Sequence, residues 1–301
     1  MIIDTHCHAW RRWPYDTMVP DPDSRGSIEA LLWEMDQNGV GHAAVVCARI
    51  GGGAGGAGFA NNDNNEYVTG AAAQHPGRIT AWVDVDCVWR RDHHAPGATQ
   101  RLREIIDSTG ARGFTHYVSA RNDGWLRSDD GQAFFAEAER RGLVASLAFS
   151  AEWFDDLAAI AQRHPELPIL LHHLSNPSQG SQRQQDVDRL VRISVHGNVG
   201  VKVSGFNYNS EARFDYPYPR SQELFRVIHD AFGPSRLYWG SDFPASRADL
   251  TYRQSIEVLR THAQFLEPDD LTAILGGNAA RLLRMPHAHQ GISLSEKGST
   301  P

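Results

Sequence analysis

Apolar residues recur along this chain in short runs of strand length, and between those runs the spacing changes to that of amphipathic helices. The first run covers residues 1–9 and is followed by a loop rich in Trp, Arg and Pro up to Pro22. Ser27 stands where a helix would be capped, and that helix reads on to Gly39. Further strands are predicted at His42–Ile50, Ile79–Asp86, Ala111–Val118, Leu143–Ser150, Leu167–Leu174, Val199–Gly205 and Arg236–Phe243. Helices are predicted between them at Asn65–His75, Gly97–Asp107, Gln132–Arg141, Trp153–His164, Gln185–His196 and Ser221–Phe232, with two closing segments at 251–266 and 268–284. Strands separated by single helices pair in parallel, and near-continuous apolar runs mark strands buried on both faces. Eight such units predict an α/β fold of the closed (β/α)8 TIM-barrel type, with a doubly wound open sheet as the competitor. One domain is read over 1–285, with residues 286–301 as a disordered polar tail.

The run Gly51-Gly52-Gly53-Ala54-Gly55-Gly56-Ala57-Gly58 lacks the Lys-Ser/Thr of a phosphate loop. It reads as a flexible loop, and a mobile cover over a site is one role for it. Composition narrows the function classes. The chain has 301 residues, 41% of them hydrophobic, enough for a sizeable core. A net charge of −7 leaves no basic stripe for nucleic acid, and no apolar run approaches the length of a membrane span. Cys7 and Cys47 fall in predicted strands and Cys87 directly after one, which suits small buried thiols in the cytoplasm better than a disulfide framework. A small-molecule substrate is the expected partner, and a homodimer is left open.

Candidate chemistry gathers where strands end, the face of such barrels that carries the active site. Strand alternation puts Asp4, His6 and His8 on one side of the first strand, opposite Ile3, Thr5 and Cys7. Asp242 ends the eighth strand, which a closed barrel sets beside the first. His172 and His173 are adjacent, so strict alternation allows only one of them to line the mouth. Of the 29 basic residues only Lys202 and Lys297 are lysines. Lys202 lies within a strand, either facing a polar barrel mouth or packing its stem inside with its head on a structural carboxylate. His116, Arg127 and Tyr208 fall at or beyond strand ends and are read, with Lys202, as substrate contacts. His93 and His94 read as solvated loop residues, His75, His164 and His262 as solvated or capping, and Asn278 as the N-cap of the last helix.

Five motifs occur in order: Asp4-Thr5-His6-Cys7-His8, His172-His173-Leu174-Ser175-Asn176-Pro177, Val201-Lys202-Val203-Ser204-Gly205, Trp239-Gly240-Ser241-Asp242-Phe243-Pro244 and Gly277-Asn278-Ala279-Ala280-Arg281. Together they resemble the amidohydrolase superfamily, in the branch containing pyrone-dicarboxylate lactonase and the sugar-acid lactonases. The resemblance implies a site built from His6, His8, His173 and Asp242. In that reading Asp242 and His173 are catalytic, and all four can hold a divalent metal, zinc first, that is not strictly required.

The implied reaction is hydrolysis of a lactone or related cyclic ester. Asp242 would take the proton of the attacking water while the histidines, or a bound ion, polarise the carbonyl. The alternative is a metal-dependent non-oxidative decarboxylase of the same superfamily. Against that alternative, the fifth strand (143–150) has no histidine. Thr115 stands where related lactonases often carry a carboxylate-gripping arginine, which argues against a dianionic pyrone substrate.

Overall fold

The computed structural model of the protein describes residues 1–285, so the segment read as a tail, 286–301, lies outside the described residues. Eight strands form one parallel sheet in sequential order: β1 Ile2–Cys7, β2 Val40–Val46, β3 Ile79–Asp84, β4 Gly113–Tyr117, β5 Val144–Ala148, β6 Ile169–Leu171, β7 Val199–Val203 and β8 Leu237–Trp239. The helices that follow them are α1 Ile28–Asn38, α2 Asn64–Gln74, α3 Ala98–Thr109, α4 Asp129–Arg140, α5 Phe154–Arg163, α6 Arg183–Ile193, α7 Pro219–Phe232, α8 Tyr252–Glu257, α9 Pro268–Thr272 and α10 Asn278–Leu282. No described helix is long and apolar enough to cross a membrane.

Backbone bonds just beyond β8 bring the last strand to the first. The Asp242 amide donates to the His6 carbonyl at 2.7 Å, and the His8 amide donates to the Phe243 carbonyl at 2.6 Å. The Thr5 hydroxyl adds a bond to the Trp239 carbonyl at 2.6 Å. Buried apolar side chains from the outer sheet face and the helices form one large core, and a smaller group with Ala44, Val46, Trp82, Val144 and Leu170 fills the barrel interior. All three cysteines are buried and free.

Three local features depart from the sequence reading. Against β2, Asp4 pairs with Ala43 and Cys7 with Val45, so β1 carries an extra residue between them. That bulge turns Asp4 away from His6 and His8 to the side of Cys7. Its carboxylate accepts from the Ser241 amide (3.0 Å), the Ser241 hydroxyl (2.5 Å), the Tyr252 hydroxyl (2.9 Å) and the His6 amide (3.1 Å).

The glycine-rich run is not free but tied to the loop after β1. The Gly58 and Phe59 amides donate to the carbonyls of Pro14 and Trp13 at 2.7 and 2.9 Å. A Cβ on Gly58 would fall 2.5 Å from the Trp13 carbonyl oxygen, so close approach is what requires glycine there. Asn278 is no N-cap either: its amide donates to the Pro234 and Leu237 carbonyls at 2.7 Å each, tying α10 to the base of β8.

Candidate active site

Asp242 sits at the top of the closing seam with a left-handed backbone (φ 55°), a conformation that is costly for a non-glycine residue and clusters at functional sites. One carboxylate oxygen, Oδ1, lies 3.6 Å from His6 Nε2, 3.5 Å from His8 Nε2 and 3.9 Å from His173 Nε2. The other, Oδ2, accepts a 2.5 Å bond from the Tyr208 hydroxyl. Burial works to raise the Asp242 carboxyl, but His173, His8 and the Tyr208 hydroxyl together outweigh it and hold the group below its usual range. Gly240 makes the seam tight enough, since a Cβ there would come 2.4 Å from that of His6.

The opposite nitrogen of each ring fixes its orientation. His8 Nδ1 lies 2.7 Å from the Val46 carbonyl, which can only accept. Neutral His8 therefore turns a lone pair toward the carboxylate, an arrangement that is favourable only with a proton or a cation between them. His173 Nδ1 is 3.0 Å from the Ser204 hydroxyl.

His6 Nδ1 lies 3.2 Å from Lys202 Nζ, and His6 Nε2 is buried without a hydrogen-bond partner. A tetrahedral ion with bonds of about 2.0–2.1 Å separates its ligands by about 3.3–3.4 Å. The spacings around Oδ1, and the orphaned His6 nitrogen, therefore fit a group of His6, His8 and Asp242 that could hold a divalent ion, with His173 3.9 Å from the same oxygen.

Lys202 resolves its two sequence readings into neither. It is wholly buried inside the barrel, donating to the Ser146 hydroxyl at 2.6 Å and lying 4.3 Å above the Trp82 ring, with no carboxylate in contact. Burial pushes its amine well below the ordinary lysine range. In its neutral form the amine accepts the His6 Nδ1 proton, which leaves the His6 Nε2 lone pair free. Its amine thereby helps to orient the His6 ring.

Alternation also fails for the histidine pair. β6 ends at Leu171, and the backbone is left-handed from His173 through Asn176. Both rings consequently crowd His6, with centroids 4.4 Å (His172) and 4.3 Å (His173) away. His172 lies on the barrel side as well, its Nε2 meeting the Ser146 hydroxyl at 2.6 Å. Burial lowers the basicity of His6, His172 and His173, the last to about 4.

Two predicted substrate contacts do not reach this centre. His116 shares the helix-facing side of β4 with Phe114, packing against Phe134 and Trp125. It is Tyr117 that turns inward, its ring 5.1 Å from that of His172. The available signal was the small pair Gly113 and Thr115 in step with Tyr117, since a Cβ on Gly113 would lie 2.5 Å from the Trp82 ring. Arg127 is 69% exposed and its guanidinium pairs with Asp156 on α5. Beside His172 and His173 opens a cavity of about 310 Å³ whose polar lining includes Tyr117, Ser119, Ser150 and Asn176, with no arginine or lysine.

The sequence profile of the family described as Amidohydrolase matches residues 3–285. The chain is 27% identical, over 305 aligned positions, to the L-fucono-1,5-lactonase of Burkholderia ambifaria, spanning 94% of this chain and 95% of the relative. Solved structures share the fold. An amidohydrolase from Burkholderia multivorans with bound zinc superposes with a TM-score of 0.72 at 20% identity, covering 95% of this chain and 100% of that one. A probable 2-pyrone-4,6-dicarboxylic acid hydrolase from Acinetobacter baumannii with citric acid bound gives 0.71 at 17% identity, covering 94% and 99%.

Proposed function

The chain belongs to the amidohydrolase family and is a hydrolase, and from that premise we propose that it opens the ring of an uncharged, hydroxyl-bearing lactone. One observation carries the reading: a buried carboxylate faces three histidine nitrogens, and one of those histidines, His173, also lines a mixed apolar and polar cavity that holds three hydroxyls and an amide and no arginine or lysine. A sugar-type lactone offers such a cavity hydroxyls to hydrogen-bond, whereas a dicarboxylate or an aromatic acid would need a cation there. The sugar-lactonase relative supports the same substrate class.

Tyr208 holds Asp242 Oδ2, so that Oδ1 is the oxygen left to take a proton from water. That water attacks the lactone carbonyl carbon, and the carbonyl oxygen becomes negative beside the histidine nitrogens. As the ring C–O bond breaks, Asp242 returns its proton to the departing alkoxide. A divalent ion held by His6, His8, His173 and Asp242 would supply Lewis acidity at the same oxygen.

A panel of aldonolactones, simple amides and hydroxylated benzoates, followed in parallel for proton release and for carbon dioxide, tests the proposal. Proton release with aldonolactones alone is expected; carbon dioxide from the benzoates with inert lactones would establish a decarboxylase instead. Tyr208→Phe removes a charge-assisted bond of about 1.5–3 kcal/mol, so kcat is expected to drop roughly 10- to 100-fold. An unchanged kcat would show that Asp242 needs no such support.

A further inference from the structure

A second histidine cluster lies on the outer side of β4, away from the barrel interior. His93 and His94 belong to the loop between β3 and α3, and with His116 they bring three ring nitrogens within 4.8 Å of one another. The protons of all three rings can be placed. His93 Nδ1 is 2.6 Å from the Asp86 carbonyl, and His116 Nδ1 is 3.0 Å from the Val85 carbonyl. His94 Nδ1 is 2.6 Å from the Asp123 carboxylate. These partners accept and cannot donate, so each neutral imidazole carries its proton on Nδ1 and a lone pair on Nε2.

The ε nitrogens then have nothing to bond. His94 Nε2 faces His116 Nε2 at 3.1 Å, lone pair to lone pair, and His93 Nε2 is buried without a partner. Two acceptors at that distance repel unless a cation or a proton lies between them. Rings held at Nδ1 by carbonyls and a carboxylate, with two Nε2 atoms facing each other and a His93 nitrogen within 4.8 Å of both, are an arrangement that orients metal-ligating histidines.

The loop is also held in place by the chain itself. The Asp86 carboxylate accepts two bonds from Arg101, at 2.8 and 2.5 Å, and one from the His94 amide at 2.9 Å. Arg101 donates further to the carbonyls of Asp92 and Ala95 at 2.9 and 2.8 Å. His94 is thereby fixed in a left-handed conformation (φ 54°), and Trp125 stacks on its ring at 4.1 Å.

We propose that His93, His94 and His116 form a second site for a zinc-class transition-metal ion, separate from the barrel histidines, with its remaining position open to water or an anion. Imidazole donors suit Zn²⁺, Cu²⁺ and Ni²⁺, and the 3.1 Å separation is close to the roughly 3.3–3.4 Å of a tetrahedral zinc centre.

The test uses the full chain, without an affinity tag, freed of metal by dialysis against a chelator. In a His6→Asn/His8→Asn background, which removes barrel donors, Co²⁺ titration is expected to give one equivalent with the visible absorption of a four-coordinate ion. His93→Gln or His94→Gln in that background is expected to abolish it. Asp123→Asn, an exposed change, should weaken binding about 10- to 100-fold. If the barrel variant does not fold, Zn²⁺ stoichiometry in the otherwise unaltered chain serves, and it should fall by one with His94→Gln. No Co²⁺ binding at tenfold excess, or binding that survives both His93→Gln and His94→Gln, overturns the proposal. The first result would mean that His94 and His116 share a proton instead.

Discussion

Asp242→Asn is expected to leave the barrel folded and to lower kcat by roughly two to four orders of magnitude, about 3–5 kcal/mol of barrier. The amide keeps the shape of the side chain and can still accept from Tyr208, so the seam between β1 and β8 should survive. It cannot take a proton from water, and its NH2 group would face three histidine nitrogens that now meet a carboxylate oxygen 3.5–3.9 Å away. KM should change little, because the substituted group acts on water rather than on the ring of the substrate. Steady-state kinetics on the preferred lactone, with thermal unfolding as the folding control, checks this. Retention of more than about a tenth of the original kcat would remove Asp242 from the role of base.

Acidification below pH 6.5 is expected to destabilise the protein. Burial lowers the pKa of His116 from 6.5 to about 3 and that of His173 to about 4, and it acts in the same direction on His6 and His172. A base whose folded pKa is depressed contributes stability that is whole above its unfolded pKa. That stability is lost as the pH falls, because the unfolded chain takes up protons that the folded chain refuses. Each such histidine removes about 1.4 kcal/mol per pH unit below 6.5 until its own folded pKa is reached.

Asp4 works in the opposite sense. Burial raises its pKa from 3.8 to about 6, so the folded form gains a proton first and gains stability as the pH falls from about 6 to 3.8. One raised carboxyl does not offset His116 and His173 together. The metal-free protein should therefore lose on the order of 2–4 kcal/mol between pH 6.5 and pH 5. Urea unfolding at the two pH values measures the difference, and equal or greater stability at pH 5 would show that these histidines are not held neutral.

The sequence by itself determined the order of strands and helices and the barrel they close into. Those follow from apolar periodicity, which is local in the chain and records which face of each element is buried. It also marked Asp242, His6, His8 and the His172-His173 pair, because a polar residue at the end of an otherwise apolar strand is conspicuous before any contact is known; Tyr208, read as a substrate contact, instead bonds Asp242.

What the sequence could not decide was facing, wherever the backbone left regular geometry. The extra residue in β1 turned Asp4 outward, and the left-handed turn at His173 brought both histidines of the pair onto His6. In each case the alternation rule failed because its premise, an unbroken strand, did not hold. For His116 the rule applied, and Phe114 two residues earlier already marked that side as apolar.

Contacts between residues far apart in the chain belonged to the tertiary structure alone. Asp156 drew Arg127 to the outer surface, and Ser146 gave Lys202 a buried partner that is not a carboxylate. His93 and His94, which read as loop residues in solvent, met His116 only because Asp86 and Arg101 fold their loop back onto β4. No pattern within one segment encodes such a meeting, since it depends on where two segments stand after the barrel has closed.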